Sequence, residues 1–544
     1  MNKLKIAKQI PLVVLAKRIL KRVLPAQRII YTDNELRSTF SIYKIQSLLA
    51  DAEFEEIADL QITNHYINHE FDLLGSGWQN RDLKKTITFN SAHQTYHDKV
   101  IQLVSTNYQF INWQLDVISG FEFDVTKQFD QQNIGKTKNV GIKNCWELGR
   151  LQHLPQLAIA AVTAENKEKL ILEFKNQCLD FISSNPVGMG VQWACAMDVG
   201  IRVSNLLVAL DIFNKIDETK ILTEDFNQLF ANAIYQHGLF IYHHLEHKEG
   251  AAGNHYLFNL VGLLFVSNYL SESEEMVKWK RFTEYELEKE FYKQFFNDGG
   301  NFEGSTCYHC LCTEAMLYGT ALLLRNGKKL SQKYINLLYH VANFIKIIAK
   351  PTHEIPQFGD NDSGRLFILD NKNKNLLNYD SLLAGFSGLF AESDFDCFST
   401  KQPNQKLIIE HIIQSNKLPT PNTKRQTPNA KYQTPNPKLQ TSIITEIKFP
   451  SNIETQKVML YSYPNFGMLV YKYEQFYLAI STISNKKMHH GWGHVHNDKL
   501  SFELQVNGID LVKDPGTYSY SANLEERNEF RSTKAHHGIV VEGI

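Results

Sequence analysis

From about residue 35 to 400 the apolar positions of this chain recur at the 3.6-residue spacing of amphipathic helices. The pattern predicts helices over Lys169–Ser183, Val199–Phe213, Phe226–His247, Tyr256–Tyr269, Glu275–Phe296, Thr306–Arg325 and Gln332–Lys350. Asn185-Pro186, Glu249-Gly250, Asp298-Gly299-Gly300 and Asn326-Gly327 separate them as short turns. So many helices in series, with few strands between them, predict a helical array or toroid over 36–400 whose loops at one end line a cleft. Residues 401–442 break the pattern. TPNTKRQ, TPNAKYQ and TPNPKLQ repeat in tandem from Thr420 to Gln440, with proline in every copy and no apolar stripe, so this segment reads as a flexible linker.

From 443 onward the apolar residues alternate instead, predicting strands at Val458–Tyr463, Gly467–Tyr473, Phe476–Ile483, Leu500–Val506 and Ile509–Val512. The resulting antiparallel sheet domain reaches Ile544 just after a fresh strand start at Gly538–Val541, which reads as a sandwich truncated from a longer protein. Asn507-Gly508 is a two-residue hairpin turn. It sets Val506 opposite Ile509, Leu504 opposite Leu511, Phe502 opposite Lys513 and Ser501 opposite Asp514. One face of the hairpin is apolar, and the other carries Ser501, Glu503, Gln505, Asp510 and Asp514.

Histidines crowd this hairpin. His494 and His496 are two apart, so an extended segment points both rings to one side. His496, Asp514 and His536 form a His/Asp/His set suited to a divalent metal, zinc ahead of calcium. Elsewhere, Gly253-Asn254-His255 opens a helix, where Asn254 also suits an N-cap. Asp298-Gly-Gly-Asn-Phe-Glu303-Gly-Ser-Thr-Cys-Tyr308-His309 is a glycine-rich loop that places Tyr308 on the first turn of the next helix. Gly359-Asp360-Asn361-Asp362-Ser363-Gly364-Arg365 is a polar loop suited to ligand contact or domain docking, without the bidentate glutamate of a calcium loop.

Bulk properties narrow the function. A net charge of -1 gives no global field for nucleic acid or anionic membrane, so an anionic ligand needs a local cleft. Seven scattered cysteines do not form a disulfide framework, and Cys307, Cys310 and Cys312 read as buried thiols on a helix. The longest apolar run, His255–Leu270, is too short and too polar for a transmembrane span. Residues 1–35 are basic, with a short apolar stretch followed at once by Lys17-Arg18. That is a poor secretory signal, which favours a cytoplasmic or membrane-peripheral location over a periplasmic one.

These motifs resemble the heparinase II/III-like family of polysaccharide lyases. The matching stretches are NCWELGRLQHL (144–154), NPVGMGVQWACAMDVGIRVSN (185–205), GNHYL (253–257), DGGNFEGSTCYH (298–309), GDNDSGR (359–365), HVHNDKLSFELQVNG (494–508), DPGTYSY (514–520) and FRSTKAHH (530–537). The resemblance implies an α+β multidomain chain, an N-terminal (α/α) toroid followed by an antiparallel β-sandwich, with the active site between them. It implies that Asn254 and His255 meet the substrate carboxylate, that Tyr308 and His494 are catalytic, and that His496, Asp514 and His536 bind the metal. Trp193, Glu303, Arg365, Tyr518 and Tyr520 lie in the matching stretches and are expected to contact substrate.

The implied partner is an acidic polysaccharide or oligosaccharide, cleaved by β-elimination. That reaction removes the poorly acidic C5 proton of a uronate, so it needs donors on the carboxylate, a base and an acid for the leaving oxygen. Tyr308 suits the acid, and serves as base too only if a nearby positive charge lowers its pKa. Two other readings stand beside it: a metal-dependent hydrolase using the His/Asp/His set, and a non-catalytic carbohydrate-binding protein of surface-polysaccharide assembly. A serine hydrolase is the weakest reading, since no G-x-S-x-G elbow occurs.

Overall fold

The computed structural model describes residues 43–54, 61–89, 91–247, 253–369, 375–400, 402–421, 445–447, 458–483, 493–518 and 522–540. They form a helical domain followed by a C-terminal antiparallel sheet domain. The basic segment 1–35 lies outside the described residues.

The helices follow the apolar periodicity, and capping chemistry fixes where several begin. Thr223, Ser273, Ser305 and Ser331 each accept a hydrogen bond from the backbone N–H three residues on. Five helices carry the argument: α1 (Lys143–Gly149), α2 (Ala196–Ile216), α3 (Asn254–Tyr269), α4 (Thr306–Arg325) and α5 (Gln332–Ile348). α2 and α3 pass so closely that a Cβ on Gly262 would sit 2.6 Å from the Gly200 Cα, and one on Gly200 would sit 2.5 Å from the Phe258 carbonyl oxygen. Two glycines thus let these buried helices touch backbone to backbone, bringing the start of α3 beside the start of α2. Cys307, Cys310 and Cys312 are buried free thiols on α4. Among the described residues no helix is long and apolar enough to cross a membrane.

The predicted linker boundary at 400 needs correcting. Residues Pro403–Ile412 form a helix that starts on proline and buries Ile408, Ile409 and Ile412. Leu418–Pro419 then pairs in parallel with Phe390–Ala391. The apolar spacing of LIIEHII was enough to continue the helical domain past 400. The TPN repeats lie outside the described residues beyond Pro421.

The sheet is a six-stranded meander, β1 (Thr445–Ile447), β2 (Val458–Tyr463), β3 (Met468–Tyr473), β4 (Phe476–Ser481), β5 (Phe502–Val506) and β6 (Ile509–Val512), each antiparallel to its neighbour. The expected hairpin register holds only at the turn. Val506 pairs with Ile509, but a bulge between Leu504 and Gln505 sets Leu504 opposite Val512 rather than Leu511. At the predicted final strand, residues 538–540 are not in a strand, and Val541 lies outside the described residues.

The hairpin turns its polar face inward. Ser501, Glu503 and Gln505 are buried, while Ile509 and Leu511 are exposed. The reason is Lys350, at the end of α5. Its buried ammonium lies 2.6 Å from Glu503 and 2.9 Å from Asp510. Gln357 N–H donates to Glu503, and Tyr477 O–H donates to the Ile348 carbonyl. Asp298 accepts from the backbone N–H groups of Asn465 and Phe466. One apolar core runs through this junction, with Phe344 edge-on to Tyr463 and Phe466. The domains are therefore fixed against each other by buried polar and apolar contacts together.

Candidate active site

Tyr308 lies one turn into α4, where its own N–H bonds the capping Ser305 hydroxyl. Its phenol donates to Asp362 Oδ2 at 3.0 Å, and Lys143 Nζ lies 2.9 Å from the same oxygen. Behind them Arg150 bonds Asp198 at 2.6 Å and Glu147 at 2.5 Å. Burial opposes the charge on Asp362, but Lys143 and Arg150 outweigh it and hold the carboxyl well below the usual range. Lys143 keeps its proton for the converse reason, burial being outweighed first by Asp362.

His494 arrives from the sheet domain and stacks on Tyr308, with ring centroids 3.7 Å apart and planes 15° from parallel. The Gly359–Arg365 loop brings it there. Asp360 N–H donates to the His494 carbonyl, and Ser305 O–H donates to the Asp360 carbonyl. Gly359 has φ +76, and a Cβ there would meet the His494 oxygen at 2.6 Å. The Asp360 carboxylate then takes both histidines, with Oδ2 3.1 Å from His494 Nδ1 and Oδ1 2.8 Å from His496 Nε2. Burial opposes its charge too, but the two histidines draw its pKa down to about 2. With Nδ1 directed at Asp360, His494 Nε2 is the free edge, 3.5 Å from Glu303 Oε2.

Asn254 and His255 open α3, whose N-cap is Gly253 rather than Asn254. Asn254 directs its amide nitrogen at both oxygens of the buried Glu303, at 2.8 and 3.1 Å, leaving Oδ1 without a partner among the described residues. His255 turns Nδ1 to Glu246 at 2.9 Å and to Cys195 Sγ at 3.6 Å. Burial works against its charged form, but Cys195 and Glu246 outweigh burial and hold its pKa well above the ordinary histidine value. A cavity of about 90 Å³ collects Lys143, Arg150, Asn254, His255, Tyr308 and Asp362. A larger one, about 300 Å³, lies between Trp78 and Arg365 and is lined by neither Tyr308 nor His494, whereas the smaller is lined by Tyr308, with His494 stacked on that ring.

The residues expected to touch substrate divide. Glu303 sits within the site, but its carboxylate is occupied by Asn254. Trp193 is a correction: it is 2 % exposed, donates to the Asn185 carbonyl and packs between His237, Phe240 and Arg202, because a large aromatic fills this part of the helical core. Arg365 lines the larger cavity, stacks on Tyr379 and bonds the carbonyls of Leu376 and Asn378. Tyr518 is exposed and stacks on Phe530, and Tyr520 lies outside the described residues. Sequence reasoning missed Lys143, Arg150, Asp198, Asp360 and Asp362 as site residues. The polar Gly359–Arg365 loop offered one signal for Asp360 and Asp362, and Arg150 and Asp198 lie in two of the stretches that resemble the family, where they were not singled out.

His536 Nδ1 bonds Asp514 at 2.7 Å, and the His496 and His536 rings lie 5.2 Å apart. Each ring leaves one nitrogen, His496 Nδ1 and His536 Nε2, buried without a partner among the described residues. Asp514 meets the nitrogen opposite the orphaned His536 Nε2, and His496, Asp514 and His536 do not bring one ligand atom each within 4.8 Å of one another in this structure, so the expected three-ligand set is not assembled here.

Comparison with known proteins bears on this site. The family model described as Heparinase II/III N-terminus matches residues 67–383, and that described as Heparinase II/III-like, C-terminal, matches residues 455–544. A heparin-sulfate lyase from Pedobacter heparinus is 26% identical over 222 residues, covering 40% of this chain and 32% of that protein. One from Bacteroides stercoris is 22% identical over 424 residues, covering 73% of this chain and 53% of that protein. The chain thus spans between a third and about half the length of these relatives. Among solved structures, a Heparinase III matches with a TM-score of 0.49 at 15% identity, covering 87% of this chain and 65% of that one. The heparan sulfate lyase HepC from Pedobacter heparinus gives 0.39 at 17% identity, covering 88% and 64%.

Proposed function

The chain belongs to the heparinase II/III family, and from that premise we propose that it is a polysaccharide lyase that cleaves a uronic-acid-containing glycan by β-elimination, with a heparan-sulfate-type glycosaminoglycan as the first substrate class. In this reading the helical domain is an (α/α) toroid and the sheet domain part of a β-sandwich. The observation that carries it is the stacking of Tyr308 on His494 across the domain junction, with Tyr308 and His255 lining one cavity.

The uronate carboxylate is placed against His255. Its Nδ1 edge is occupied by Glu246, so Nε2–H is the donor that meets the charge building up as the C5 proton leaves. One such preorganised donor is worth about 3 kcal/mol. Asn254 supports the same end of the site through Glu303. His494 is the base: Asp360 fixes Nδ1, leaving Nε2 to take the proton. Tyr308 is the acid, its phenol held protonated toward Asp362 until the leaving oxygen competes for that proton. His496 and His536 would be the residues to meet a divalent ion, through the two unpartnered ring nitrogens, with Asp514 orienting His536 from behind, and such an ion would supply rigidity to the loops that carry His494.

The test is to incubate the protein with heparan sulfate, heparin, alginate and other uronate polymers, and to weigh the products. Elimination leaves an unsaturated uronate lighter by one water than the hydrolytic product. Saturated products from every polymer would overturn the reading.

A further inference from the structure

The Nδ1 edge of His255, which the chemistry proposed above does not use, meets a cluster of a different kind. Cys195 Sγ lies 3.6 Å from His255 Nδ1 and 3.9 Å from Glu246 Oε1, and those last two atoms are 2.9 Å apart. Sulfur, nitrogen and oxygen donors thus lie within 4.8 Å of one another. Tetrahedral bonds of about 2.0–2.3 Å separate neighbouring ligands by about 3.3–3.8 Å, close to the spacing here.

A Cys–His–Glu set also suggests a nucleophile with its base. The geometry argues against that, because thiol and carboxylate converge on the same ring nitrogen. A relay needs the acid on the nitrogen opposite the nucleophile. Convergence on one point is instead what a chelate requires.

The donors are held from behind. The second Glu246 oxygen accepts from the Met197 N–H and from the Asn259 amide, whose own oxygen accepts from Glu246 N–H. Cys195 and His255 both line the Tyr308 cavity, so the cluster has an open side. A second group of possible ligands, His247, Glu286 and Glu290, lacks this character. There Lys289 and Lys293 already neutralise the two carboxylates at 3.0 and 3.1 Å.

We propose that Cys195, Glu246 and His255 Nδ1 form a binding site for a soft divalent cation of the zinc class, separate from the histidine set of the sheet domain, with its remaining position open to the Tyr308 cavity. Binding releases the thiol proton and the Nδ1 proton to solvent, and thiolate and carboxylate together balance the dication. Coordination through Nδ1 leaves the hydrogen of His255 on Nε2, the edge that faces substrate in the proposed function. The metal site itself stands whether or not that function holds.

The test uses cobalt(II) as probe on the full chain after chelator treatment. One equivalent is expected to produce a thiolate-to-cobalt charge-transfer absorbance, which the sulfur-free set of His496, Asp514 and His536 cannot give. Cys195→Ser abolishes it. Glu246→Gln weakens cobalt affinity at least about tenfold, since even outer-shell partners are worth roughly 10–100-fold. Circular dichroism confirms that both variants fold. In the wild-type chain, zinc slows alkylation of Cys195 and leaves the exposed Cys397 unchanged. Absence of the absorbance, its survival in Cys195→Ser, or equal Cys195 alkylation with and without zinc would each overturn the proposal.

Discussion

The Tyr308 phenol and the His494 imidazole, one from each domain, lie face to face at 3.7 Å. Neither is placed by its own element alone. A single loop, Gly359–Arg365, reaches both, with Asp362 on the phenol oxygen and Asp360 on the imidazole. The helical domain therefore sets the geometry of a side chain it does not contain.

In the proposed reaction Asp360 orients His494, the base, and it does not line the Tyr308 cavity. Asp360→Asn is expected to lower kcat on the order of 100-fold, within the range of a positioned general base. KM is expected to change little. Steady-state kinetics separates the two, and an equal loss through KM would contradict the orienting role.

Gly359→Ala is expected to destabilise the domain junction. A left-handed alanine costs about 1–2 kcal/mol, and its Cβ must also displace the His494 carbonyl. Chemical denaturation should show a loss larger than the backbone cost alone, and a variant as stable as wild type would contradict the close approach.

Asp362 carries a pH prediction. Its folded pKa lies below its unfolded value of about 3.9, so its contribution is complete above that value and is lost as pH falls toward the folded one. Asp362→Asn takes from Lys143 its nearest carboxylate in a buried network, at a cost of about 3–5 kcal/mol near neutral pH. The gap from wild type should shrink as pH drops below about 4. Urea titrations at several pH values check this, and a gap independent of pH would refute it.

Much of the fold was legible because local signals agreed. Thr306–Arg325 and Ile509–Val512 end where apolar spacing and turn residues place them. The inward polar face of the hairpin was not legible. Glu503 and Gln505 are buried because Lys350 and Thr352 wait for them across a gap of some 150 residues. The site was half visible for the same reason. Tyr308 and His494 stand in distinctive motifs, whereas Lys143, Arg150 and Asp198 look like ordinary helix charges until the fold gathers them. Trp193 was expected at substrate only because it lies in a stretch that resembles the family, and tertiary packing shows it enclosed.

The most direct measurement follows the short-wavelength ultraviolet absorbance of unsaturated uronate released from heparan sulfate by wild type and by Tyr308→Phe. That change keeps the ring on His494 and removes only the acid. Wild type is expected to build the absorbance steadily, and the variant to lose about 10²–10⁴-fold in rate while unfolding within about 1 kcal/mol of wild type. A variant that releases unsaturated product at the wild-type rate would contradict the account.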